Sequence, residues 1–245
     1  MGGGGLPPVI AVLAEPGALS AGSALTLSDE EAHHLKVRRA EDGEIVRVQD
    51  GEGTIATGML AWANKRATVH IGSVELVDAP PPLSLAVGAG DRDRFGWLVE
   101  KAAELGVTEL IPLETERTTA VASRIRETHL AKLSARAREA IKQSGAAWAP
   151  RISQTLSVTD LCARPGPGKR WVAEKGGAAP PVRIGPEAIT VAIGPEGGWT
   201  ELELAHLEAG GFRVTALAPQ ILRFETAAIA AAALINVARL RGNRD

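Results

Sequence analysis

The chain has 245 residues and a net charge of −2, and its shares of apolar (45%) and charged (23%) residues are those of a globular protein with one large or two smaller domains. A single cysteine, Cys162, excludes a disulfide framework and a cysteine-rich zinc site, and five histidines without metal-ligand spacing predict no bound metal. The longest largely apolar run, residues 227–238, is interrupted by Asn236 and is too short and too rich in alanine to cross a bilayer. The glycine-rich residues 1–8 do not resemble a secretory signal. We therefore expect a cytoplasmic protein with an irregular start and no membrane span.

The first predicted elements form a small, mainly β domain over residues 1–77. Ser28 to Glu31 is a capping box that begins a short helix ending near Ala40. Strands are predicted at residues 44–48, 54–60 and 67–77, with Asp50-Gly51 as the turn between the first two. The proline run in residues 78–82 can continue neither a sheet nor a helix, so it predicts a linker between domains.

Beyond this linker, residues 83–245 alternate apolar strands with helices, the pattern of an α/β domain with a parallel sheet. The predicted strands are residues 83–87, 109–113, 170–174, 188–193 and 214–217. The predicted helices are residues 92–105, 128–143 and 158–163, one from the Thr200 capping box to Gly210, and an alanine-rich one from about Phe224.

Positive charge is concentrated in the segment from Arg117 to Lys142, which holds seven lysines or arginines and two glutamates. Because phosphate binding is largely electrostatic, this segment is a candidate nucleic-acid surface. Charge alone favours the alternative, a solvated helix face.

The loop from Gly194 to Gly198 leads from a predicted strand into the capped helix. Its three glycines, Gly194, Gly197 and Gly198, would let the backbone approach a ligand, and the helix start offers free amide groups. A plain turn explains this loop equally well.

A second junction runs from Leu217 to Arg223, before the alanine-rich helix. Leu217, Ile221 and Leu222 lie at the expected carboxyl edge of the sheet, where such sheets bind ligands, and they would give an adenine ring apolar walls. The alanine-rich residues 227–233 carry little side-chain bulk and permit close packing against a second subunit, and a buried core helix explains them equally well.

The familiar nucleotide-binding signatures are incomplete. Gly88-Ala-Gly90 has Asp93 where a dinucleotide fingerprint needs its third glycine, and Gly166-Pro-Gly-Lys169 lacks the first glycine and the Ser or Thr of a P-loop. Both a nicotinamide enzyme and an NTPase are therefore disfavoured.

Six short motifs follow one another along the chain: residues 34–39 (HLKVRR), 99–106 (VEKAAELG), 116–118 (ERT), 143–145 (QSG), 193–198 (IGPEGG) and 221–227 (ILRFETA). Together they resemble the bacterial uridine N3-methyltransferases of small-subunit ribosomal RNA, an RsmE-like family of the SPOUT class, over the span from about Ser28 to Gly242.

The resemblance implies a PUA-like β-barrel domain in front of a SPOUT domain whose C-terminal chain forms a trefoil knot, working as a homodimer. It implies S-adenosylmethionine as the cofactor and 16S ribosomal RNA, or the small ribosomal subunit, as the substrate. The cofactor would contact Ile193, Gly194, Pro195, Glu196, Gly197, Gly198, Leu217, Ile221, Leu222 and Arg223, with Glu116-Arg117 nearby. The resemblance also makes the basic segment a more plausible RNA surface.

The chain departs from the family pattern at several positions. Arg38 stands where the family usually has Leu, Ala146 where it has Arg, and Ala218 and Gln220 where it has Gly and Arg. The arginine-rich start of the family's β domain is also missing. The two missing arginines bear on RNA affinity and on the target more than on cofactor binding, because the loop glycines and Leu222-Arg223 are intact.

Methyl transfer to N3 of uridine requires loss of the N3 proton, so the site needs a base, or a cation that stabilises the charge on the uracil carbonyls. Arg223 and Arg117 are candidate cations. Glu196 and Glu225 are candidate bases, although either could instead cap a backbone turn.

The predicted RNA contacts are His34, Arg39, Arg136 and Arg138, with His34 and Arg39 alternatively bracing the two domains. The leading hypothesis is thus an S-adenosylmethionine-dependent RNA methyltransferase. The alternatives are an RNA-binding module of the same family with an altered target or lost activity, and an unrelated α/β oxidoreductase.

Overall fold

A computed structural model describes residues 10–88, 90–166 and 168–242, which divide into two compact units. The first unit comprises the chain up to Ala79 together with Ile141–Ala149, and the second comprises Pro80–Ala140 and the chain from Pro150 onward. The predicted irregular start, the alanine of Gly88-Ala-Gly90 and the second residue of Gly166-Pro-Gly-Lys169 lie outside the described residues.

The first unit is built on a five-stranded sheet of order β1-β3-β4-β5-β2, in which β1 and β3 are parallel and the other pairs antiparallel. Alternate residues of its strands point into one apolar core with helix α1. Its elements are β1 (Ile10–Leu13), β2 (Ala24–Thr26), α1 (Asp29–Val37), β3 (Ile45–Gln49), β4 (Thr54–Ala63) and β5 (Arg66–Leu76).

Helix α1 begins as its capping residue predicts but ends earlier than expected. The Ser28 hydroxyl accepts a hydrogen bond from the Glu31 amide at 3.2 Å. The helix ends at Val37 rather than near Ala40, because Arg39 adopts a left-handed φ of 56° that no helix can continue.

A short segment from the middle of the chain completes the first unit. Arg47 Nη2 donates to the Gly145 carbonyl at 2.8 Å, and Gln49 Nε2 donates to the Ala146 carbonyl at 2.6 Å. A buried ion pair joins Lys142 Nζ to Glu31 Oε1 at 2.8 Å. The sequence pattern does not predict that residues 141–149 belong to the first unit, because residues 141–144 continue a helix that begins in the other unit.

The second unit is a sheet of order β12-β10-β11-β6-β7-β8, with β9 also paired to β7, and all its strand pairs are parallel. Helices pack on both faces, so the predicted α/β class with a parallel sheet is confirmed. Its strands are β6 (Leu83–Gly88), β7 (Glu109–Glu114), β8 (Arg151–Ile152), β9 (Leu156–Ser157), β10 (Lys169–Ala178), β11 (Ile189–Ile193) and β12 (Arg213–Thr215). Its helices are α2 (Arg92–Glu104), α3 (Glu127–Ser144), α4 (Val158–Ala163), α5 (Glu201–Ala209) and α6 (Phe224–Gly242), although the end of α3 falls in the first unit.

Alternating residues of the central strands explain the two cores of this sheet. Leu83, Leu85 and Val87 of β6 point toward the core that includes α2 and α6, whereas Ala86 points toward the core that includes α4 and α5. Every residue named here is buried. A strand that is covered on both faces has a continuous apolar sequence, and this pattern is what predicts these strands from the sequence.

Two strand ends of the second unit differ from the expected ones by two residues or more. Strand β10 continues to Ala178, beyond the predicted end at Glu174, and pairs with β12 through an irregularity between Ala173 and Ala178. Strand β12 ends at Thr215, before the predicted end at Leu217. No helix in the described ranges is long and apolar enough to span a membrane.

Candidate active site

A cavity of about 300 Å³ lies at the carboxyl edge of the parallel sheet. Ala173 of β10 pairs in register with Ile193, the last residue of β11, so both residues lie at this edge of the sheet. The carboxyl edge is where open α/β sheets bind ligands. The cavity is lined by Ala173, Glu174, Lys175, Ile193, Gly194, Pro195, Glu196, Gly197, Gly198, Trp199, Leu217, Ala218, Gln220, Ile221, Leu222, Phe224 and Ala227.

The structure brings nine of the ten predicted cofactor contacts into this one lining. They come from two segments that are distant in the chain, the loop after β11 and the loop before α6. The tenth, Arg223, is exposed and is not among the lining residues.

The glycines of the loop after β11 are required by close packing. A Cβ atom at Gly194 would lie 3.2 Å from the Trp199 indole, and one at Gly197 would lie 2.9 Å from Arg117 Cδ. Gly198 has a φ of 74°, and its amide donates to the Pro195 carbonyl at 2.8 Å to close a tight turn. A side chain at Gly194 would press on the lining residue Trp199, and one at Gly197 would displace Arg117.

The opposite wall is largely apolar. Leu217 and Leu222 are partly buried against the core, and Phe224 is buried. Ile221 is 83% exposed, unusually high for a large apolar side chain in the lining of a cavity.

Several lining residues were not predicted from the sequence. They include Glu174 and Lys175, which extend β10 at the cavity edge, and the buried rings of Trp199 and Phe224. The parallel pairing of β10 with β11 is the signal that could have placed Glu174 and Lys175 there, because paired parallel strands end at the same edge.

The two candidate cations, Arg117 and Arg223, are both exposed. Among the described residues neither guanidinium has a hydrogen-bond or ion-pair partner, whereas Arg94 nearby pairs with Asp91 at 3.5 Å. An arginine without a partner remains available to a negatively charged ligand.

The two candidate bases differ in their surroundings. Glu225 is 8% exposed, its Oε1 lies 3.9 Å from Arg94 Nη1, and its Oε2 is buried without a hydrogen-bond partner among the described residues. Glu196 is exposed, lines the cavity, and accepts a hydrogen bond from the Gly90 amide at 3.3 Å. Glu196 therefore already caps a backbone amide, and Glu225 has an unsatisfied acceptor.

The predicted RNA contacts occur in both units. His34 is half-buried in α1 and Arg39 is exposed directly after it. Arg136 of α3 pairs with Glu100 of α2 at 2.6 Å and crosses the helix at Gly96, and Arg138 is half-buried. Arg136 thus stabilises the contact between α2 and α3, independently of any contact with RNA.

Comparison with known sequences decides the family. The family model described as the RNA methyltransferase domain matches residues 78–236, and that of the RNA methyltransferase PUA domain matches residues 27–71. The chain belongs to the RNA methyltransferase family. The resemblance drawn from the six motifs is confirmed, and the chain has a SPOUT-type methyltransferase domain preceded by a PUA-like domain.

Named relatives of this RNA methyltransferase match most of its length. The ribosomal RNA small subunit methyltransferase E of Synechocystis is 29% identical over 86% of this chain and 72% of the relative. That of Aquifex aeolicus is 28% identical over 87% of this chain and 94% of the relative.

Two solved structures resemble the methyltransferase closely. One is the ribosomal RNA small subunit methyltransferase E of Neisseria gonorrhoeae bound to S-adenosylmethionine, with a TM-score of 0.81 and 29% identity over 92% of this chain and 95% of that one. The other is a methyltransferase of Legionella pneumophila in complex with S-adenosylmethionine, with a TM-score of 0.81 and 27% identity over 94% and 98%.

Proposed function

We propose that this methyltransferase transfers a methyl group from S-adenosylmethionine to ring nitrogen 3 of a uridine in 16S ribosomal RNA. The observation that carries the proposal is the cavity at the carboxyl edge of the sheet, in which the glycine loop and the loop before α6 meet. Two solved relatives of the same family are described with this cofactor bound.

The residues of the cavity fit this cofactor chemically. Leu217, Leu222 and Trp199 offer apolar surface for an adenine ring, and the backbone of the glycine loop is open to close approach. Glu174 and Lys175 are charged lining residues that suit the ammonium and carboxylate of an amino acid. When bound, S-adenosylmethionine supplies an electrophilic methyl group on a sulfonium centre.

The chain's own residues must then manage the charge on the uracil. As the bond from N3 to the methyl carbon forms and the carbon–sulfur bond breaks, the N3 proton passes to a base. Glu225 is favoured by its unsatisfied buried oxygen and Glu196 by its place in the lining. Arg223 and Arg117, which lack partners among the described residues, would stabilise negative charge on the uracil carbonyls.

We also propose a homodimer. Leu234, Val237 and Leu240 of α6 are exposed apolar side chains three residues apart, and Trp97 of α2 is 43% exposed. Helices α2 and α6 pack against each other, so this apolar surface suits a second copy of the chain. The trefoil knot of the C-terminal chain and a cytoplasmic location remain predictions from the resemblance.

The second candidate function is an RNA-binding module without methyltransferase activity. Ala146 and Gln220, which replace family arginines, favour it. Gln220 lines the cavity, so one of the two replacements falls at the cofactor site itself.

Calorimetric titration separates the two candidates. We expect S-adenosylmethionine to bind in the micromolar range, with NADH as a control ligand that does not bind. RNA binding without any heat from S-adenosylmethionine would favour the RNA-binding module, and binding of NADH would favour an oxidoreductase.

A further inference from the structure

The glutamate that completes the capping box of α5 also holds a distant loop. Glu203 Oε2 accepts hydrogen bonds from the Thr200 amide at 3.0 Å and from Thr200 Oγ1 at 3.2 Å, as the capping box requires. Its other oxygen, Oε1, accepts a hydrogen bond from the Glu116 amide at 2.8 Å, although Glu116 is 87 residues away in the chain. The helix cap uses only one carboxylate oxygen, so the second is available for this tertiary bond.

The loop that contains Glu116 connects β7 to α3, and its other hydrogen bonds are local. The Thr115 amide donates to Thr118 Oγ1 at 2.9 Å, and the Thr118 and Thr119 amides donate to the Thr115 carbonyl at 3.0 and 3.1 Å. These bonds fix the shape of the turn without attaching it to its surroundings. Among the hydrogen bonds of described residues outside the strands, the one to Glu203 is what ties residues 115–119 to another element.

Arg117 follows Glu116 directly, so its position depends on this tie. Its Cδ atom lies 2.9 Å from where a Cβ of Gly197 would stand, and its Nη1 lies 3.7 Å from the corresponding points of Gly197 and Gly198. The arginine thus crosses the glycine loop, which itself lines the cavity. Because Arg117 is exposed and its guanidinium has no hydrogen-bond or ion-pair partner among the described residues, no polar contact of its side chain holds the loop in place.

We propose that Glu203 is a positioning residue that holds Arg117 over the glycine loop through the Glu116 amide. The proposal rests on the proposed function insofar as Arg117 acts on the RNA substrate. Loss of the tie would let the turn keep its local shape while Arg117 moves away from the glycine loop, and a displacement of about 1 Å can lower a rate by up to about 10²-fold.

The direct test compares three variants by hydrogen exchange of the loop amides. Glu203→Ala removes the two hydrogen bonds from Thr200 and the one from the Glu116 amide. Thr200→Ala removes the hydroxyl of the helix cap while leaving the Glu116 bond. Glu203→Gln keeps one carbonyl oxygen for the Glu116 amide. We expect faster exchange of residues 115–119 in Glu203→Ala alone. Equal exchange in Glu203→Ala and Thr200→Ala would overturn the proposal, whether or not the protein methylates RNA.

The kinetic test uses methylation of 16S ribosomal RNA and a double-mutant cycle with Arg117→Ala. Glu203→Ala should lower kcat by about 10- to 100-fold with unchanged affinity for S-adenosylmethionine, and Glu203→Gln should restore most of the rate. Adding Glu203→Ala to Arg117→Ala should lower the rate no further. Rate losses that multiply in the double variant would show that Glu203 acts independently of Arg117 and would overturn the proposal. An inactive wild-type protein would instead contradict the proposed function, and loop exchange would still decide the role of Glu203.

Discussion

At the scale of single residues, the shape of the cavity depends on glycines, which have no side chain beyond Cα. Gly197 has no Cβ, and this lets Arg117 approach the glycine loop. The sequence could predict that the loop needs glycine, since three glycines after a strand are typical of close ligand approach. It could not predict which side chain occupies the vacated space, because Arg117 comes from a loop 80 residues earlier in the chain.

We expect Gly197→Val to abolish binding of S-adenosylmethionine, because its side chain would displace Arg117 and enter the cavity. Gly72→Ala is the matched control, since a Cβ at Gly72 meets one atom at an ordinary 3.6 Å. Calorimetry measures both. Unchanged affinity in Gly197→Val would remove this loop from the cofactor site.

Glu109 is a buried carboxylate at the amino edge of the same sheet. Burial alone would raise the pKa of Glu109, but hydrogen bonds from Arg164, Ser153 and Ser84 outweigh it and hold the pKa below its ordinary value of 4.5. Because the folded-state pKa is lower than the unfolded one, the stabilisation is present above about pH 4.5 and is lost as the pH falls through the lowered value.

Glu109→Gln should therefore reduce the free energy of unfolding by about 1–3 kcal/mol at neutral pH and make its decline in acid less steep. Glu187→Gln is the control, because Glu187 also has a lowered pKa, mainly through its hydrogen bond from Lys169, but this surface pair is partly open to solvent and contributes little. Urea unfolding at several pH values measures both variants. An identical pH dependence in Glu109→Gln and the wild type would contradict this account of Glu109.

At the scale of elements, periodicity and capping residues predict most of the helices and strands. The Thr200 capping box, the stop of α3 at Gly145 and the apolar strands of the sheet all occur as expected. Strands β1, β2, β8 and β9 are missed, because two to four residues give too short a pattern to separate from loop. The extension of β10 is missed because its glycines argue against a strand.

Helix α3 contains the cations predicted to contact RNA. Replacing Arg136 and Arg138 with Ala should weaken binding to 16S ribosomal RNA and flatten its salt dependence, by up to about 0.7 to 0.9 log units for each phosphate that is no longer neutralised. Affinity for S-adenosylmethionine should not change. Because Arg136 also pairs with Glu100, Glu100→Ala serves as the control for impaired helix packing.

If the double variant binds RNA with an unaltered salt slope, α3 is a solvated face. The RNA surface would then lie mainly on the first unit, around His34 and Arg39. If Glu100→Ala weakens RNA binding to the same extent as the double variant, the effect comes from packing of the helices and not from phosphate binding.

At the scale of the whole molecule, the sequence predicts two fold types in the right order but not the discontinuity of the first unit. The order of hydrophobic patterns gives the β unit before the α/β unit. Residues Ile141–Ala149 join the first unit through tertiary hydrogen bonds from Arg47 and Gln49. Such bonds leave no periodic pattern in the sequence, so they could not be predicted.

The proposed homodimer is tested by light scattering at micromolar concentration. We expect twice the chain mass of 25.5 kDa for the wild type. Leu240→Lys should shift the protein toward the single-chain mass, because it places a charge in the apolar surface of α6. The single-chain mass for the wild type would contradict the proposal.

The proposed methyl transfer is tested most directly by incubating the protein and S-adenosylmethionine with 16S ribosomal RNA or small ribosomal subunits, and then identifying the methylated nucleoside by mass spectrometry. We expect N3-methyluridine as the product, with the rate reduced by about 10² to 10³ in Arg223→Ala while RNA binding persists. Methylation of another atom or base, or no methyl transfer by a wild-type protein that binds both ligands, would contradict the proposed N3-methylation of uridine.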